Sequence, residues 1–191
     1  MELPDAIKSR KSVRKFSSKK PDWRDIIESI NSSQYAPMAG DIFSMKFVIV
    51  DDKKIIEEIA KWAEQEFIAE AKYVVVAVSN SLLVKTPFPK KGEIFSHQQA
   101  GAAIENFLLS LTNFGLGTCW IGHFNEEKIK NILKIPENHE IEALFPIGYS
   151  AEKKKKQKPK SDIYNILYFN QWEHDRMKKV EKIESRYPEG Y

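Results

Sequence analysis

Cysteine is nearly missing from this 191-residue chain, with Cys119 its single representative. That excludes a disulfide within the chain and a four-cysteine zinc site, and it suits a reducing compartment. Long apolar runs are missing too. The longest, Tyr73–Val78 (YVVVAV), is far too short to cross a bilayer. The first residues carry no apolar stretch ahead of a small-residue cleavage site, so no secretory signal is expected. A soluble, cytoplasmic protein is the expectation, with no membrane partner. Neither charge sign dominates: 30 Lys+Arg stand against 27 Asp+Glu, a net charge of +3. An excess that small does not call for a polyanionic partner, and much of it lies in one lysine run.

The common chemical signatures are absent as well. No GxGxxG follows a strand and no GxxxxGK[ST] occurs, so neither a dinucleotide-type Rossmann site nor a P-loop is indicated. GxSxG, the nucleophile elbow, is lacking. His97, His123, His139 and His174 show no HxH or HExxH spacing and read as ordinary surface or supporting residues, so no metal site is expected. Cys119 and His123 are four apart, but the Trp-Ile-Gly between them reads as strand and turn. The carboxylates of EEIAKWAEQE are better explained as a solvated helix face than as a di-metal site. Lysines 153–156, Lys158 and Lys160 precede aromatics without a recognised reader module, so no nucleic-acid partner is expected.

What is present alternates helix and strand. A short helix is expected over 3–9 and a clearer one over about 22–32. Asp22 is its cap, and Trp23, Ile26, Ile27 and Ile30 lie on one face. After the proline and glycine of QYAPMAGD, residues 46–50 read as a strand. Asp51 or Asp52 opens a helix whose apolar face holds Ile55, Ile56, Ile59, Trp62 and Phe67. Tyr73–Val78 reads as a central strand covered on both faces. Residues 80–94, with Pro87, Pro89 and Gly92, read as an irregular connection of the length of a functional loop. A long, weakly polar helix at about 95–114 ends at Gly115, a left-handed cap. TCWIG is a short strand or turn, and Asn125 caps a helix to about Leu133. Ile141–Tyr149 is a strand that Pro146 places near an edge or ends early. Beyond Tyr149 comes a polar linker, an apolar segment with Ile163, Ile166, Leu167, Tyr168, Phe169 and Trp172, and a charged stretch expected to be helical. A single domain is expected over 1–191, with about 150–191 as linker and arm. The pattern alone leaves open a mostly antiparallel or mixed sheet flanked by helices, or a doubly wound fold.

Four stretches together resemble the nitroreductase family of flavoproteins in its short form. They are Arg10-Lys11-Ser12-Val13-Arg14-Lys15-Phe16; Ala36-Pro37-Met38-Ala39-Gly40-Asp41 followed by 46–50; Gly115-Leu116-Gly117-Thr118-Cys119-Trp120-Ile121-Gly122 after an Ala-rich helix; and Lys158-Pro159-Lys160 ahead of the apolar segment. The resemblance runs over roughly residues 5–172. It implies an α+β sandwich, a central antiparallel or mixed sheet flanked by helices, with a carboxy-terminal arm exchanged between the subunits of a homodimer. It also implies FMN bound at the subunit interface.

By that resemblance Arg10, Lys11 and Ser12 serve the phosphate or ribityl chain and Arg14 the pyrimidine edge. Arginine's fork suits both kinds of oxygen. Lys158 and Lys160 complete the phosphate site. Pro37, Met38, Ala39 and Asp41 come from the other subunit, and the backbone of Leu116, Gly117 and Thr118 runs beside the ring. Where Met38, Asp41 and Phe43 stand, the family usually has serine, asparagine and a nearby glutamine, so the tuning of the flavin is expected to differ. Phe67, Phe88 and Phe95 are candidate walls for a flat substrate. The implied activity passes a hydride from NADH or NADPH through the flavin to a nitroaromatic, quinone or related acceptor, with no catalytic side chain required. The alternatives are a specialised reductive dehalogenase or flavin-modifying enzyme, a flavin reductase, and a flavin-binding protein without turnover.

Overall fold

Residues 1–152 and 161–174 are described by the computed structural model. The expected lysines Lys158 and Lys160, their neighbours from Lys153, and the expected carboxy-terminal helix lie outside the described residues. Residues 161–174 belong to a second unit that begins at Lys154. Within it a 3-10 turn spans Ile163–Asn165, and the rings of Tyr168 and Trp172 meet at 4.9 Å.

The first unit is built on an antiparallel sheet. Its strands are β1 (Met45–Val50), β2 (Tyr73–Ser79), β3 (Gly117–Thr118) and β4 (Glu140–Gly148), in the order β1-β2-β4-β3 among the described residues. Every residue of β2 is buried, because the strand is paired on both edges and covered on both faces. Val75 and Ala77 face one core, which Ala100, Ala103, Ile104 and Phe107 of helix α5 (Gly92–Asn113) complete. Val74, Val76 and Val78 face the other core. Ile56, Ile59 and Ala60 of α3 (Lys53–Trp62) and Ile129 of α6 (Glu126–Leu133) fill that one. This is an α+β sandwich, a sheet with helices on both faces. α2 (Trp23–Ser32) packs outside α5, where Ser32 Oγ donates to Asn106 O at 3.1 Å. α1 (Leu3–Ser9) and α4 (Ser81–Lys85) complete the α-helices among the described residues.

The caps stand where the sequence placed them. Asp22 accepts from Arg24 N–H, Asp52 from Lys54 and Ile55 N–H, and Asn125 from Lys128 N–H. Gly115 sits at φ +73 just past α5. Beside the Asn125 cap, Glu126 joins α6 to β4. Burial pushes its carboxyl up, but hydrogen bonds from Lys130 and from Ile141 N–H, with the Lys130 charge, outweigh that and hold it below its ordinary value.

Four expectations need correction. α3 stops at Trp62 and Glu64 turns left-handed at φ 54, so Phe67 lies on a following 3-10 turn rather than on the helix. Residues 80–94 are mostly ordered: Asn80 caps α4 through Leu82 N–H, and α5 already begins at Gly92. Trp23 and Ile27 are about half exposed on α2, while Ile26 is buried, so only part of the expected apolar face meets the core. Pro146 belongs to an interior strand and pairs opposite Val74. Leu144 exchanges both its backbone bonds with Ile121 on the β3 side. Alternation then aims the position of Pro146's missing N–H toward that same side, beyond the end of β3 at Thr118, where it interrupts no ladder bond.

Candidate functional site

The basic amino-terminal stretch is laid on the sheet by two glycines. Gly117 of β3 and Gly148 of β4 are a cross-strand pair. Val13 packs over the first and Phe16 over the second. A Cβ at Gly117 would stand 2.7 Å from Val13 Cγ2, and one at Gly148 would stand 2.9 Å from the Phe16 ring. Backbone bonds hold the segment down: Val13 N–H donates to Thr118 O, Ser17 N–H to Tyr149 O, and Ala151 N–H to Lys15 O, each at 2.9 Å. Val13 and Phe16 are buried while Ser12 and Arg14 are exposed.

This packing opens a cavity of about 200 Å³ between the end of α1, the end of α5 and β3. Arg10, Lys11, Leu116, Gly117, Thr118 and Trp120 line it. Arg10 Nε lies 3.4 Å from Glu105 of α5, and Lys11 Nζ lies 3.1 Å from Glu152. Thr118 Oγ1 is buried without a hydrogen-bond partner among the described residues. Buried hydroxyls usually find a partner, and Thr118 lines the cavity, so its hydroxyl is a candidate for a bond to a polar ligand atom. Trp120 is partly exposed over the cavity, its ring edge-on to Phe145 at 5.6 Å. Cys119 next to it is buried in the α3–α6 core.

The sequence-selected residues therefore fall into separate groups. Arg10, Lys11, Leu116, Gly117 and Thr118 share the cavity, with Ser12 and Arg14 on the adjoining exposed segment rather than in its lining. Two details differ from expectation. Leu116 N–H is committed to Leu111 O at 2.9 Å, which leaves it unavailable to a ligand. Gly117 is small because Val13 occupies its side-chain space.

Pro37, Met38, Ala39 and Asp41 form a second group. They surround a 3-10 turn, Ala39–Asp41, in which Gly40 and Asp41 are left-handed at φ 60 and φ 57. Aspartate and asparagine tolerate that conformation better than most residues. Phe88 lies against Gly40, with Phe95 edge-on to it at 5.5 Å. Phe67 stands in a third place, packed on Val13, Phe16 and Ala71.

Sequence reasoning missed Gln99. Buried on α5, it accepts from Ala39 N–H at 3.0 Å and donates to Ile42 O at 3.1 Å and Ser44 Oγ at 2.8 Å, fixing the turn that carries Met38 and Asp41. The available signal was an amide one residue before Ala100, next to the small-residue run Ala100–Ala103 that packs on the sheet.

Comparison with known proteins agrees with this architecture. A family model described as the nitroreductase family matches residues 7–73 and 60–149. A nitroreductase family protein from Clostridium novyi NT, solved as a crystal structure, is 31% identical. The match covers 94% of this chain and 99% of that one, with a TM-score of 0.73. An iodotyrosine deiodinase bound to FMN and 3-iodo-L-tyrosine has the same fold at 22% identity, TM-score 0.78, over 90% of this chain and all of that one. NADPH:FMN oxidoreductase from Vibrio harveyi, complexed with NAD+, shares the fold at 20% identity, TM-score 0.79, over 90% of this chain and 78% of that one.

Proposed function

Because this chain belongs to the nitroreductase family, we propose that it is an FMN-dependent oxidoreductase, passing a hydride from NADH or NADPH to a nitroaromatic, quinone or related flat acceptor. The observation that carries the reading is the cavity that sets two cations, Arg10 and Lys11, beside the unpartnered Thr118 hydroxyl. The deiodinase bound to FMN and the NADPH:FMN oxidoreductase, both of this fold, support the choice of cofactor and donor.

The residues present fit FMN. Its phosphate needs cations that can be drawn from weaker partners. Among the described residues Arg10 and Lys11 are each paired with one partly exposed carboxylate, Glu105 and Glu152. The Thr118 hydroxyl has a hydrogen bond to give that no described residue of the chain uses. Trp120 gives one apolar wall. When bound, FMN supplies the redox chemistry, accepting a hydride and passing it on. The chain's part is to bind and orient.

The cavity of about 200 Å³ is smaller than the roughly 300–1,000 Å³ of pockets that enclose such ligands. A second surface has to complete it, and a second copy of the chain is the proposed source. It brings its own Pro37–Asp41 turn with Phe88 and Phe95 as the acceptor wall. Trp23, Ile27, Tyr35 and Leu82 are exposed apolar residues of the kind such an interface would cover. Ile163, Ile166 and Trp172, exposed within their own unit, would act as the exchanged arm. No helix among the described residues is long and apolar enough to cross a membrane, and the proposed setting is the cytoplasm.

Steady-state oxidation of NADH and of NADPH by the purified protein, with a quinone and a nitroaromatic as acceptors, tests the reading. Acceptor-dependent turnover with one nicotinamide is expected. Bound FMN with no turnover on either donor would leave a binding protein and reject the enzyme.

A further inference from the structure

We propose that His97, Glu140 and Glu142 form a binding site for a divalent transition-metal ion of the zinc class, separate from the cavity described above and independent of the flavin reading. The site exists because β4 changes phase. Ala143, Phe145 and Ile147 face the α5 core, so strict alternation would send Ile141 to that core too and both glutamates to the opposite layer. The register forbids this. Ala77 pairs with Ala143 but Val78 pairs with Ile141, leaving Glu142 as the extra residue of a β-bulge. Ile141 accordingly packs with Leu144 in the α3–α6 core, while Glu140 and Glu142 turn to meet His97 of α5. Bulges that re-aim a side chain at the cost of a ladder bond gather at functional places.

The geometry is that of donors able to share an ion. His97 Nδ1 lies 3.0 and 3.2 Å from the two oxygens of Glu142, and Nε2 lies 3.6 Å from Glu140 Oε2. One ligand atom from each of the three residues lies within 4.8 Å of the others. Bonds to zinc of about 2.0–2.2 Å at ordinary coordination angles bring ligand atoms to about 3–3.5 Å from each other.

Outer partners are already in place. Ser79 Oγ donates to Glu142 Oε1 at 2.5 Å, and Ser81 Oγ donates to Glu140 Oε1 at 3.0 Å, which orients both carboxylates. The side chain of Glu142 is 13% exposed, against 46% for His97 and 41% for Glu140. The site is anchored at its base and open to solvent, which can fill the remaining coordination positions. Imidazole nitrogen with carboxylate oxygen favours zinc, manganese or iron over the all-oxygen sites of magnesium and calcium. Glu93, one turn back on α5, is occupied by Lys85 at 2.6 Å.

The test uses the full-length protein, freed of metal with a chelator and dialysed. It is titrated with Zn2+ by calorimetry and with Co2+ by its visible d–d absorption. Saturable binding of one ion per chain is expected. His97→Ala should lose it, Ser79→Ala should weaken it about tenfold or more, and His139→Ala should leave it unchanged. Melting curves without metal establish that each variant is folded, and Glu142→Gln provides a near-isosteric second test. Absence of saturable binding, or binding that survives both His97→Ala and Glu142→Gln, would overturn the proposal and leave the three side chains as a charge-paired brace.

Discussion

Gly117→Ala protein is expected to bind FMN about tenfold to a hundredfold more weakly than wild type and to lose about 2 kcal/mol of stability. The new Cβ would stand 2.7 Å from Val13 Cγ2, 3.0 Å from its Cβ and 3.3 Å from Cγ1. Val13 is β-branched and cannot simply rotate aside. It must lift from β3, and its N–H bond to Thr118 O lifts with it. Arg10 and Lys11 stand only three and two residues earlier on the same segment, so the cations move away from the Thr118 hydroxyl. Adding Val13→Ala removes the two methyl contacts and should restore much of both losses. Fluorescence titration of the flavin-free protein with FMN and urea unfolding read the two effects. A single Gly117→Ala variant that binds FMN like wild type would show that the amino-terminal segment does not build the site.

A larger loss of stability, about 3 kcal/mol, is expected for Gly92→Ala. Here the clash is with backbone: the added Cβ would meet Lys85 Cα at 2.5 Å, and Lys85 N and Val84 O at 2.6 Å. No rotamer relieves such contacts. Gly92 N–H also donates to Phe88 O at 2.7 Å, closing the corner between α4 and α5. Opening that corner shifts Phe88 from the turn at Gly40 as well as weakening the fold. Gly101→Ala is the matched control on the same helix, because a Cβ there meets nothing within 4 Å inside the chain. Thermal unfolding of the two variants separates a steric corner from a general intolerance of alanine in α5. Equal melting of Gly92→Ala and wild type would refute the packing argument.

Local chemistry was legible in the sequence wherever neighbours in the chain decide it. Asp22, Asp52 and Asn125 cap their helices, Gly115 ends α5, and the β-branched run of β2 is the buried centre of the sheet. Features decided by distant partners were not legible. Pro146 reads as an edge residue, yet it is accommodated inside the sheet because β3 has already ended opposite it. Phe67 keeps the helical spacing of Ile56 and Ile59, yet a left-handed Glu64 takes it off the helix. The site divides in the same way. The Arg10–Arg14 and Gly115–Gly122 stretches are distinctive enough to find. That Val13 fills the space over Gly117, or that Gln99 holds the Ala39 turn, depends on packing across the fold. The meeting of His97 with Glu140 and Glu142 depends on a bulge that no residue spacing announces.

The most direct test of the account is the absorption spectrum of the purified native protein, with the released cofactor identified and quantified by chromatography. A flavin spectrum with about one FMN per chain, retained by a dimer in solution, is the predicted result. A colourless protein that stays colourless after incubation with FMN would contradict it, because the cations and the Thr118 hydroxyl would then serve another ligand or none.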